Sequence, residues 1–72
     1  MVPVHFTGWE DGFQFVAFTR LLMTAGYGLK EAKEAADQLY AGASLRVEVS
    51  SITAATELLW QAQRLGATGY LA

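Results

Sequence analysis

The chain turns a corner at Gly26-Tyr27-Gly28-Leu29-Lys30-Glu31-Ala32-Lys33, where one helical pattern ends and another begins with almost nothing between them. Gly26 can take the left-handed conformation that closes a helix. Gly28 is tolerated as an N-cap, with Glu31 three residues on, near the positive end of the next helix. Two helices therefore leave the corner in different directions, and each needs an apolar surface to cover. The sequence has 72 residues, and a folded chain of this size buries only about 60% of the surface it exposes when unfolded. One small core must serve every element, and the expectation is a single domain over residues 1–72.

Before the corner, Val2, Val4 and Phe6 alternate with Pro3, His5 and Thr7, the period of a half-buried strand. Pro3 has no N–H to donate, so it belongs at the strand's start or beside an unpaired side. Gly8-Trp9-Glu10-Asp11-Gly12 breaks the alternation, and Asp11 followed by Gln14 resembles a capping box, which predicts a helix from near Gly12. On that helix Phe15, Phe18, Leu21, Leu22 and Ala25 form the core stripe, while Phe13, Val16 and Met23 fall beside Arg20 on the opposite side. Either loops and the sheet rim cover this second surface, or it is a partner-binding face.

The next helix runs from Leu29 to about Tyr40, with Leu29, Ala32, Ala35, Ala36 and Leu39 inward and Lys30, Glu31, Glu34, Asp37 and Gln38 outward. Lys30 with Glu34 and Lys33 with Asp37 are possible i,i+4 pairs in the weaker orientation. After Ala41-Gly42-Ala43, Ser44 to Val49 alternates as a second strand. Ser50 and Ser51 then offer a hydroxyl cap to a third helix that buries Ala55, Leu58, Leu59, Ala62 and Leu65 and stops at Gly66. Trp60 points away from that stripe, as an exposed contact for a partner or as a rim side chain on a neighbouring element. Thr68 to Ala72 fits a last strand. The order is β-α-α-β-α-β, an α+β two-layer sandwich with three helices on one face of a three-stranded antiparallel sheet.

Seven acidic and five basic residues give a net charge of −2 with no basic stripe, so nucleic acid is not the expected partner. No apolar run approaches the roughly 20 residues that cross a bilayer, and no charged segment followed by an apolar one opens the chain. The expectation is a soluble cytoplasmic protein. The chain has no cysteine, which excludes a disulfide framework, a thiolate metal site and a cysteine nucleophile. The single histidine, His5, sits on the polar side of a strand without a companion, and Glu10-Asp11 is accounted for by the helix cap. Gly26-x-Gly28 lacks the third glycine of a dinucleotide fingerprint and follows a helix. A binding module without metal or cofactor is expected, rather than an enzyme.

The run Ala25-Gly26-Tyr27-Gly28-Leu29-Lys30-Glu31-Ala32-Lys33-Glu34 resembles the corner of the C-terminal domain of the bacterial large-subunit ribosomal stalk protein. In that family a Gly-Leu-Gly-Leu-Lys-Glu-Ala-Lys stretch joins two helices of a β-α-α-β-α-β domain, and Leu65-Gly66-Ala67 echoes its last turn. The resemblance implies that the first two helices and their corner bind a translational GTPase or another factor. Gly28, Leu29, Lys30, Glu31 and Lys33 match the motif. The family's lysine and arginine on the first helix fall at Thr19 and Leu22, leaving Lys30, Lys33 and Arg20 as the positive surface. The expected contact set is Phe13, Val16, Thr19, Arg20 and Met23 with Gly28, Leu29, Lys30 and Lys33, joined by Trp60. The expectation is a stand-alone relative with a more apolar binding face, as a monomer or weak homodimer.

An alternative is the adaptor of the same fold that delivers substrates to the Clp protease, to which Phe15-Val16 is similar. Thr7-Gly8-Trp9 stands where that family has the Asn-Asp-Asp stretch that captures an amine. Only Glu10 and Asp11 could then accept from an ammonium group.

Overall fold

Alternation seeds the first strand, but pairing on both sides carries it further than alternation does. In the computed structural model, which describes residues 1–71, β1 spans Val2–Trp9, three residues past Phe6. It is the middle strand. β2 (Leu45–Val49) pairs with it on one side and β3 (Ala67–Leu71) on the other, both antiparallel. Pro3 is opposite Glu48 of β2 and is the second residue of the strand, near the start that its missing N–H favours. Ala72 lies outside the described residues.

Alternation stops at Thr7 because the strand bulges there. Phe6 faces Gly69 and Gly8 faces Thr68, which leaves Thr7 as the extra residue, its hydroxyl 3.1 Å from that of Thr68. Gly69 permits the close approach: a Cβ there would collide with the His5 carbonyl oxygen and come within 3.0 Å of the Phe6 ring.

The first helix, α1, spans Phe15–Thr24 and does not start near Gly12. Asp11 forms no capping box, since Gln14 is the N-cap and no side chain bonds to the helix end. The backbone of this segment bonds elsewhere instead. Glu10 N–H donates to the Gly66 carbonyl and Gln14 N–H to the Leu65 carbonyl, each at 2.8 Å, so the entry to α1 is held by the end of the third helix.

At the corner Gly26 has φ 107°, and the Gly26 and Tyr27 N–H groups donate to Met23 and Leu22 carbonyls at 3.1 and 3.2 Å. This is a Schellman closure. Gly28 is extended and caps α2 (Leu29–Tyr40), which buries Ala32, Ala35, Ala36 and Leu39. Leu29 is not inward: it stands at the first helical position, 64% exposed, and Ala32 is the first residue of the helix to reach the core. The Lys30/Glu34 and Lys33/Asp37 pairs do not form. Among the described residues the single ion pair is Arg46–Glu48 at 3.5 Å.

The third helix, α3 (Ile52–Arg64), is capped by Ser51, whose hydroxyl accepts from the Ala54 N–H at 3.1 Å. Val4 and Phe6 of β1, Val47 of β2, Phe18 and Leu22 of α1 and Leu39 of α2 are fully buried, with Phe6 and Phe18 edge to face at 5.3 Å. Three helices thus cover one face of a three-stranded antiparallel sheet, in the order β-α-α-β-α-β. Within the helical layer α1 packs on both α2 and α3, whereas α2 and α3 do not meet. No helix among the described residues is long and apolar enough to cross a membrane.

Candidate functional site: the seam between α1 and α2

The outer side of α1 is apolar because of spacing. Val16, Arg20 and Met23 recur at four and three residues, which brings them to one side of a helix. All three are exposed, Val16 by 62%. On α2 the same repeat groups Leu29, Lys33 and Tyr40. The Tyr40 ring meets the Phe15 ring edge to face at 5.8 Å, so this side of α2 turns towards α1. The two sides form a seam lined by Val16, Met23, Leu29 and Tyr40, all exposed.

Trp9 extends the seam beyond Tyr40. Its ring stacks on that of Tyr40 at 4.8 Å, and its indole N–H donates to the Tyr40 carbonyl at 3.1 Å, satisfying one of the carbonyls that a helix end leaves open. Trp9, Val16, Met23, Leu29 and Tyr40 are five of the nine large apolar side chains exposed among the described residues. Their concentration along one seam, rather than scatter over the surface, is what marks an interaction site. Lys30, Lys33 and Arg20 are exposed around it, and none is in an ion pair among the described residues.

The residues singled out from the sequence divide clearly. Val16, Arg20, Met23, Gly28, Leu29, Lys30 and Lys33 are exposed on α1, the corner and the first turns of α2. Phe13 is not on α1; it lies on the segment before it, partly buried, with its ring 6.0 Å from Trp9 and 5.5 Å from Phe18. Thr19 does not face outward either. It is buried on the side of Phe15, and its hydroxyl donates to the Phe15 carbonyl at 3.1 Å. Trp60 is exposed, but on α3, which does not meet α2, so it belongs to a different surface; the Arg64 guanidinium lies 5.0 Å over its ring.

Trp9 and Tyr40 were not legible as site residues. One lies in a stretch without periodicity and the other at the last position of a helix, and no spacing connects them. Beneath the corner, burial pushes the Tyr27 phenol above its ordinary range, with the Glu48 carboxylate adding to the shift. His5 lies on the open face of the sheet, stacked on Tyr70 at 5.1 Å and opposite Arg46 in register. No family model, no curated protein and no solved structure matches this chain.

Proposed function

We propose that the chain is a non-catalytic protein-interaction module that takes an apolar segment of a partner protein into the α1–α2 seam. Arg20, Lys30 and Lys33 then meet acidic residues around that segment. The observation that carries this reading is the gathering of Trp9, Val16, Met23, Leu29 and Tyr40 along one seam beside those three cations. These side chains are already partly covered, so each gains about 1 kcal/mol on full burial. Set against the cost of association, a handful of such contacts gives a modest, reversible affinity.

A translational GTPase is the partner implied by the stalk-like corner, and the β-α-α-β-α-β order supports the likeness. Such a partner would put the module to work in the cytoplasm. Where the stalk family carries its lysine and arginine, this chain has Thr19 and Leu22, both buried. Recognition accordingly shifts from charge on α1 to the apolar side chains beside it.

Titration of the purified chain with a purified translational GTPase tests the reading. Binding is expected to weaken at least about tenfold in Val16→Asp and in the Lys30→Glu/Lys33→Glu variant, and to survive Trp60→Ala. A wild-type chain that ignores the GTPase but binds another protein through Val16 would keep the module and replace the partner. Binding that none of these seam substitutions alters would remove the seam as the site.

A further inference from the structure

The other side of α1 is also open, and its chemistry is different. Between α1 and α3 lies a groove with a cavity volume of about 540 Å³, floored by Ala17, Leu21 and Leu65 and flanked by Arg20 and Arg64. It continues past Leu21 and Gln61 into a second hollow of about 270 Å³ that reaches Leu58 and Val49 and has Glu57 on its wall. Small side chains on the facing sides leave it open: Ala17 on α1 and Ala54 on α3 fill little of the space between the helix axes.

The groove is charged at its two ends with opposite sign. Arg64 flanks one end and Arg20 stands midway along the α1 wall, and neither is in an ion pair among the described residues. Arg64 is held over the Trp60 ring at 5.0 Å, a contact that satisfies a guanidinium face and leaves its N–H edge free to bond. Glu57 stands towards the other end, its carboxylate accepting from the Gln61 amide at 2.7 Å. The lining runs along α1 from Gln14 to Ala25, about 16 Å at 1.5 Å per residue, or about three helical turns.

We propose that the α1–α3 groove binds an amphipathic helix of a partner protein, with carboxylates against Arg20 and Arg64 and a basic residue against Glu57. Two helices with an apolar floor between them receive a third by ridge-and-groove packing, which is the helix-in-groove mode of recognition. The opposed charges give the bound helix one direction and reject a uniformly basic one. The apolar floor of this groove shares no residue with the α1–α2 seam, and Arg20, on the outer side of α1, borders both.

The test is selection of helical peptides from a displayed amphipathic library against the purified chain, followed by titration of the selected peptides and amide-shift mapping. Selected peptides are expected to carry acidic residues in one end turn and to shift the amides of Ala17, Leu21, Leu58 and Gln61. Arg64→Glu should lose about tenfold in affinity, the size of one charge-assisted hydrogen bond, and Arg64→Gln should lose less. The Glu57→Lys/Arg64→Glu chain should prefer peptides of reversed charge order. The proposal is overturned if no peptide is selected, if the selected peptides bind the Arg64 variants equally, or if the shifts map to Val16, Met23 and Leu29. That last result would instead support the seam.

Discussion

Trp9 and Tyr40 lie with their rings stacked at 4.8 Å, and the indole of the first donates to the backbone carbonyl of the second at 3.1 Å. One pair of side chains thereby ties the end of β1 to the end of α2, and it forms one end of the candidate docking seam.

Separating the stack from the hydrogen bond is the informative experiment. Trp9→Phe keeps a ring on Tyr40 and loses the indole N–H, and is expected to lower unfolding free energy by about 1 kcal/mol. Trp9→Ala loses the stack as well and should cost more. Urea denaturation followed by circular dichroism reads both; equal losses would show that the hydrogen bond contributes everything and the stack nothing.

Gly69 lies in close contact with β1, opposite Phe6 and beside the bulge at Thr7. Gly69→Ala forces a Cβ against the His5 carbonyl oxygen, and the strands must part or shift. A loss of about 1–3 kcal/mol is expected, the usual range for overpacking. An unchanged denaturation midpoint would mean that the two strands are not in this register.

Thr19 tests whether basic charge can be returned to α1 at the position where the stalk family has it. The site is buried and the hydroxyl is engaged with Phe15. Thr19→Lys is therefore expected to destabilise the fold by about 1–3 kcal/mol and to leave partner affinity no higher. A stable variant with tighter binding in a titration would show that this side of α1 faces the partner after all.

Tyr27 supplies a pH dependence. Its phenol titrates above its ordinary value of 10.0 in the folded chain because burial disfavours the phenolate and Glu48 repels it. The folded state therefore holds its proton where the unfolded state has released it. The contribution to stability is complete below pH 10.0 and declines as pH rises from there through the folded value. The wild-type chain should lose stability above that pH faster than Tyr27→Phe. Parallel stability curves for the two chains would contradict this.

Much of the fold was legible because local physics writes it locally. Alternation in Leu45–Val49 gave a strand with Leu45, Val47 and Val49 buried, and the helical repeat gave α2 with Ala32, Ala35, Ala36 and Leu39 inward. Gly26 and Ser51 are local instructions too, a left-handed closure and a hydroxyl cap, and both are realised. Of the candidate site, Val16, Arg20 and Met23 could be placed together on one side of α1 by counting residues.

Periodicity says which side of an element is covered, but not by what. Thr19 and Leu29 were misplaced for that reason: burial at Thr19 depends on what lies over its side of α1, and exposure at Leu29 on where the first turn of α2 meets the core. The start of α1 was set by carbonyls of Leu65 and Gly66 from the far end of the chain, which took the N–H groups of Gln14 and Glu10. A capping rule that looks three residues ahead has no access to them. The sequence by itself determined the elements, their order and most of their inward faces, since those follow from backbone preference and the spacing of apolar side chains. Tertiary structure alone placed α1 between α2 and α3, bringing Trp9 to Tyr40 and opposing Arg64 to Arg20 across a groove. Such neighbours are chosen by packing and by hydrogen bonds between residues distant in the chain.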